Sequence, residues 1–260
     1  VMRDDTQEAL YVGARDEYEQ GHIPGAIYID WTSDIIDLDD PIEAQIAPPE
    51  VFAQTLKRLG IGDQHLVVAY DAHPASQFAT RLWWALNYYS HRKVVVLNGG
   101  LPKWQRENRP MTAEIPDYPP ARFTPVIQSS WRATAQDVLA ALNKSDTMII
   151  DARDRGQYTG EVARGHGRFG HIPGAINVPR EALIAPDGTF RSNEELSSVF
   201  ASAQLEPDKQ VIAYCNGGVA ATSVLFSLAM LGHSFLTNYD GSWNEWGSRP
   251  DLPVELEQHQ

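Results

Sequence analysis

The chain has 260 residues, 43% of them hydrophobic and 21% charged, which excludes global disorder and leaves room for one large or two ordinary domains. Acidic residues number 34 and basic residues 21, a net charge of −13, so the footprint of sequence-independent nucleic-acid binding is missing. The single cysteine, Cys215, forbids an intramolecular disulfide and fits a reducing, cytoplasmic setting.

In chain order, Val1–Leu10 is polar and carries no apolar targeting core. The chain does not begin with Met, so residues ahead of Val1 are expected. No apolar run approaches the ~20 residues of a membrane span, and no membrane partner is expected. In the first half, helical spacing over Val51–Leu59 is followed by a β-rich run at Leu66–Tyr70. Gln77–Leu86 is helical again and Lys93–Leu97 is of strand type. Met111–Pro125 then carries Pro116, Pro119, Pro120 and Pro125, which suits a stiff, extended connector.

Thr134 is a candidate N-cap ahead of Val138, Leu139 and Leu142. Thr147–Asp151 reads as a strand, Asn193–Ala203 as a helix and Lys209–Tyr214 as a strand. Ala220–Leu231 reads as a buried helix and Ser234–Tyr239 as a last short strand. Alternating β and α elements of this length predict an α/β fold, with parallel sheets flanked by helices.

The two halves repeat one another. Gly21–Ile27 and Gly170–Ile176 both read GHIPGAI. Ala14-Arg15-Asp16 matches Ala152-Arg153-Asp154, and Val67–Tyr70 matches Val211–Tyr214. Asn98-Gly99-Gly100 matches Tyr239-Asp240-Gly241, and Arg109-Pro110 matches Arg249-Pro250. The expected organisation is a first domain at 1–111, a linker at 112–130 and a second domain at 131–260.

Cys215 falls where a predicted strand meets a predicted helix, and Asn216-Gly217-Gly218-Val219-Ala220 follow it. Ligands of α/β sheets bind beyond the carboxyl ends of the strands. Glycines let successive backbone N–H groups converge, and a helix N-terminus adds partial positive charge. Those conditions favour a nucleophilic sulfur in an anion cradle. The matching position in the first half is Asp71, so that half is expected to be inactive.

A cysteine phosphatase needs an arginine six residues after its nucleophile, and Ala221 stands there. A metal site is not expected, because there is no second cysteine and the eight histidines are scattered. The dinucleotide pattern G-x-G-x-x-G is absent.

These motifs together resemble the two-domain rhodanese family of thiosulfate and 3-mercaptopyruvate sulfurtransferases. The carriers are the twin GHIPGA blocks, Asp151-Ala152-Arg153, the loop Tyr214–Ala221 and the run Tyr239–Trp246. The resemblance implies two tandem rhodanese-like domains. It also implies a sulfane sulfur carried as a persulfide on Cys215 from a small anionic donor to a thiol or cyanide acceptor, thioredoxin among them. No organic cofactor is implied.

Thiosulfate members resemble Cys-Arg-Lys-Gly-Val-Thr-Ala in the loop, and mercaptopyruvate members resemble Cys-Gly-Ser-Gly-Val-Thr-Ala. The neutral Cys-Asn-Gly-Gly-Val-Ala-Ala is closer to the second. The resemblance makes the N–H groups of Asn216, Gly217, Gly218, Val219 and Ala220 the persulfide's cradle and Arg164 a carboxylate-binding residue. Gln157 stands where the family has another arginine, for which Arg155 or Arg168 could substitute. Asp151 and Arg153 are expected to support the loop, and His22 is a weaker substrate-side candidate. The competing readings are a thiosulfate-preferring rhodanese and a non-enzymatic persulfide carrier or regulatory module.

Overall fold

The computed structural model describes residues 13–162, 167–206 and 208–256. They form two compact units. The first contains the chain up to Asp39, Ile46–Ile127 and Asp187–Thr189, and the second contains Asp40–Gln45, Gln128–Pro186 and the chain from Phe190 onward.

In the first unit, α1 (Arg15–Gln20) leads into the first GHIPGAI block. Pro49 opens α2 (Pro49–Arg58), whose Phe52, Thr55 and Leu56 are buried. Pro suits the first helical turn because that turn has no acceptor for its N–H. Strand β1 (Val67–Ala69) pairs in parallel with β2 (Val94–Val96), Val67 opposite Val94. Between them runs α3 (Gln77–Tyr88), buried along almost its whole length, and α4 (Gly100–Arg106) follows β2. The proline-bearing stretch after Pro110 is extended and lies along this unit. Tyr118 donates to the carbonyl of Gly25, Thr124 N–H to Asp63, and Phe123 is buried edge-on against Phe52.

In the second unit, β3 (Arg132–Ala133) precedes α5 (Ala135–Ala141), whose start carries a reciprocal capping box between Thr134 and Asp137. There follow β4 (Thr147–Asp151), α6 (Arg155–Thr159), β5 (Ile176–Asn177), α7 (Asn193–Ser202) and β6 (Gln210–Tyr214). The last elements are α8 (Ala221–Met230), β7 (Leu236–Tyr239) and α9 (Ser242–Trp246). All pairings are parallel, in the order β3-β7-β6-β4-β5. Val138, Ile149, Ile172, Ile212, Tyr214, Trp243 and Trp246 share one buried cluster.

The repeat holds at atomic detail. The rings of Tyr18 and His22 stack at 3.9 Å between centroids, as do those of Tyr158 and His171. Tyr18 donates its hydroxyl to the carbonyl of Ala26, and Tyr158 to that of Ala175. His22 exchanges two backbone hydrogen bonds with Thr112, and His171 does so with Glu255. Each GHIPGAI block is thus a turn closed by the preceding tyrosine and tied through its histidine to a later segment, at Thr112 or at Glu255. In one detail the structure shifts the alignment: Gly100 corresponds to Ser242 rather than to Gly241. Leu101 N–H donates to the carbonyl of Asp71 at 2.9 Å as Trp243 N–H donates to that of Cys215 at 3.0 Å.

Candidate active site

Strand β6 ends at Tyr214 and α8 begins at Ala221, so Cys215 and its loop sit at the carboxyl edge of a central strand. Cys215 is buried and free. Its own N–H is spent on Ser242 Oγ at 3.1 Å, and Ser242 Oγ–H donates to the carbonyl of Tyr239 at 2.7 Å. Its carbonyl accepts from Trp243 and that of Asn216 from Asn244, at 3.0 and 2.8 Å. The start of α9 therefore clamps the first two loop residues through three hydrogen bonds, and a fourth anchors Ser242 to the end of β7.

Beyond the clamp the loop changes character. Among the described residues, no acceptor takes the N–H of Asn216, Gly217, Val219 or Ala220, although Val219 and Ala220 are buried. Buried backbone donors without acceptors are uncommon and mark a place where an anion is welcome.

Gly218 has φ +70°, and a Cβ on it would lie 2.6 Å from the carbonyl oxygen of Asp240, so only glycine fits. The carbonyl of Gly218 is held from below by Asn238 Nδ2 at 3.0 Å. Asp240, fully buried, faces Arg132 at 3.2 Å, and Arg132 also donates to Gln45. Gly217 has ordinary backbone geometry, so the glycine pair expected to curl the loop does so through Gly218 alone.

Asp151 and Arg153 form a buried fork one strand away. Arg153 Nε and Nη2 reach the carboxylate at 3.0 and 2.6 Å, and Tyr214 donates its hydroxyl to the same group at 2.6 Å. Burial and the adjacent Asp151 carboxylate push the Tyr214 phenol well above its ordinary value, so it stays a donor. Arg153 also donates to the carbonyl of Gly170 and lies 4.3 Å over Trp243. This fork ties β4, the end of β6 and the second GHIPGAI turn together beneath the cysteine loop.

The other candidates fall in different places. Gln157, buried on α6, accepts from Asn216 Nδ2 at 3.0 Å and so touches the loop directly. Arg164 lies outside the described residues. Arg168 donates to the carbonyls of Gly247, Leu252, Trp246 and Arg249, which ties it to the C-terminal end of α9. Arg155 is exposed, 5.3 Å over Tyr158.

His22 has its ring nitrogens against the carbonyls of Tyr18 and Glu114, at 2.8 and 3.1 Å. That arrangement is a turn lock inside the first unit and leaves no free ring nitrogen. A cavity of 690 Å³ in the first unit is lined by Asp71, Tyr18 and Trp104 among others, and by no residue of the Cys215 loop. No group of His, Cys, Asp and Glu among the described residues could hold a metal, and no helix there is long and apolar enough to cross a membrane.

Ser242 is the residue that sequence reasoning passed over. Its signal was the repeat: once Gly100 and Ser242 are paired, a hydroxyl replaces a glycine at a left-handed position, φ 51° in both.

Both halves match the description of a rhodanese-like domain, over residues 4–107 and 134–249. The chain belongs to the rhodanese family. The sulfur carrier protein TtuD of Thermus thermophilus is 37% identical over 249 residues, 91% of this chain and 86% of that protein. A putative thiosulfate sulfurtransferase of Mycolicibacterium smegmatis is 37% identical over 248 residues, 92% and 87% of the two chains. The crystal structure of SseA from Escherichia coli, titled for the rhodanese fold of 3-mercaptopyruvate sulfotransferases, superposes with a TM-score of 0.81. It shares 33% identity, covering 89% of this chain and 87% of that one. This rhodanese is a two-domain α/β sulfurtransferase, and a sulfur donor and a sulfur acceptor are its substrates.

Proposed function

We propose that Cys215 is the nucleophile and carries the transferred sulfur as a persulfide. The observation that carries this reading is the set of unspent N–H groups at Asn216, Gly217, Val219 and Ala220 beside the chain's one cysteine. The Cys215 thiolate attacks the sulfane sulfur of the donor. A bond forms between the two sulfurs and the donor's bond to that sulfur breaks. Its electron pair leaves with sulfite, or with the enolate of pyruvate, which takes up a proton. The outer sulfur retains a negative charge, which the loop N–H groups stabilise. An acceptor thiolate, on a small thiol or thioredoxin, or cyanide then attacks the outer sulfur, and the Cys215 thiolate is regenerated.

In this reading 1–111 is the copy without a nucleophile, 112–130 connects, and 131–260 is catalytic. Asp151, Arg153 and Ser242 hold the loop in place. The donor is 3-mercaptopyruvate, because Asn216, Gly217 and Gly218 bring no cation to grip a sulfonate, and Arg164 supplies the carboxylate contact. A thiosulfate preference is the second reading. A carrier role without small-donor turnover is the third, and similarity to TtuD favours it.

The test is a paired donor assay. The wild type is expected to show a higher kcat/KM with 3-mercaptopyruvate than with thiosulfate, and Cys215→Ser to form no thiocyanate from either. Activity in that variant would overturn the nucleophile, and a thiosulfate preference would overturn the donor. One added sulfur on Cys215 from a partner protein, with no turnover of either donor, would establish the carrier role instead.

A further inference from the structure

Gly217 has no conformational reason to be glycine, because its φ lies outside the left-handed region. A Cβ placed there would meet ordinary neighbours: Asn244 Nδ2 at 3.4 Å, Ala44 Cβ at 3.6 Å and the carbonyl oxygen of Glu43 at 3.9 Å. The missing side chain therefore leaves a notch with polar walls. One wall carries an N–H donor, the carboxamide of Asn244. Another carries an acceptor, the carbonyl of Glu43, which takes one long bond from Gln45 Nε2 at 3.4 Å and keeps its second lone pair.

Both walls are built rather than incidental. Asn244 is fixed by its N–H to the carbonyl of Asn216, while its exposed carboxamide has no partner among the described residues. Asp40–Gln45 belongs to the second unit, with Gln45 tied to Arg132 and through it to the buried Asp240. Ala44 is held at φ 65°, a conformation that costs a non-glycine residue energy and persists where surroundings impose it.

We propose that Asn244 and the Glu43 carbonyl, both within 4 Å of the place a Gly217 side chain would take, form a subsite for a secondary amide of the sulfur acceptor, with Asn244 the specificity-determining residue. A secondary amide offers one acceptor and one donor, the complement of the two walls. Gly217 is two residues from Cys215, at most about 7 Å along the chain. A cysteine derivative carries its own amides only a few bonds from its sulfur, so an amide held in the notch leaves the thiol within reach of the persulfide. Sulfite, pyruvate, thiosulfate and cyanide have no such group. The subsite thus acts on the second half-reaction and selects peptide-like thiols over simple ones. It rests on the persulfide reading of Cys215.

The experiment loads the wild type and two variants with sulfur, confirms the persulfide by intact mass, and measures its transfer to N-acetylcysteinamide and to 2-mercaptoethanol. The readout is the ratio of the two second-order rate constants. Asn244→Val is expected to lower that ratio about three- to tenfold, the worth of one hydrogen bond. Gly217→Ser, which fills the notch, is expected to lower it in the same direction. A ratio unchanged in both variants, with loading intact, overturns the subsite and leaves the persulfide reading standing. Absence of any persulfide on the wild type overturns that reading and the subsite with it.

Discussion

Asp71 and Cys215 occupy the same place in the two copies: each follows a short parallel strand, precedes a buried helix, and accepts one N–H from the helix after the next strand. What surrounds their side chains differs. Asp71 Oδ1 accepts from His73 N–H at 2.9 Å, and its Oδ2 accepts from Phe78 and Ala79 at 2.9 and 2.8 Å. The first copy supplies its own anion to its own cradle. The second leaves its N–H groups unspent, and its loop contains glycine where the first has His73 and Pro74. One backbone frame thus serves as a closed, self-satisfied turn in one half and leaves its N–H groups without acceptors in the other, and the difference lies in the loop residues as well as in the residue at the strand end.

The sharpest way to break this comparison is to move the thiol. Asp71→Cys in a Cys215→Ser background is expected to give no thiocyanate, because the N–H groups of Ala75 and Ser76, the counterparts of Val219 and Ala220, are already spent on His73. Activity there would mean that the thiol alone makes the site.

A second contrast lies beneath the loops. Arg153 is buried in a fork with Asp151, whereas Arg15, its repeat partner, is exposed and pairs with Glu19. Arg153→Ala should cost ~3–5 kcal/mol in urea unfolding, since it strands a buried carboxylate. Arg15→Ala should cost less than ~1 kcal/mol. Similar losses would remove the distinction.

Smaller still is the contrast within the glycine pair. Gly218→Ala should destabilise by ~1–3 kcal/mol and impair sulfur loading, because its left-handed φ and Asp240 forbid a Cβ. Gly217→Ala should leave stability within ~0.5 kcal/mol. Thermal unfolding of the two variants checks both.

The last prediction concerns pH. Burial pushes the Asp71 carboxyl up to about 6 from 3.8, even against its three N–H donors. A raised acid binds its proton more tightly folded than unfolded, so its contribution to stability is full below about pH 4 and is lost as pH rises to about 6. Wild type should therefore lose up to about 3 kcal/mol relative to Asp71→Asn across that window. Parallel unfolding curves from pH 4 to 7 would show otherwise.

Much of this was legible beforehand because it depends on local signals. The apolar run Val67–Tyr70, the buried helix after Cys215 and the Thr134 cap each state their own structure. The repeated GHIPGAI identifies two copies without any contact being known. Ser242, Arg168 and Asp40–Gln45 were not legible, because their roles depend on tertiary neighbours. Arg168 looks like a loop cation until four carbonyls of a distant segment are found around its guanidinium. The distinct jobs of Gly217 and Gly218 appear only with their φ angles.

The exchange of short segments, Asp40–Gln45 into the second unit and Asp187–Thr189 into the first, has an architectural meaning. Duplication copied a stretch of sequence, but what coheres in space no longer coincides with what was copied. Severing the polypeptide between the repeats would deprive each half of a piece written into the other, and the half with Cys215 would lose Glu43 and Ala44. Genetic modularity and physical autonomy have parted here: the boundary of the repeat is not the boundary of the compact unit.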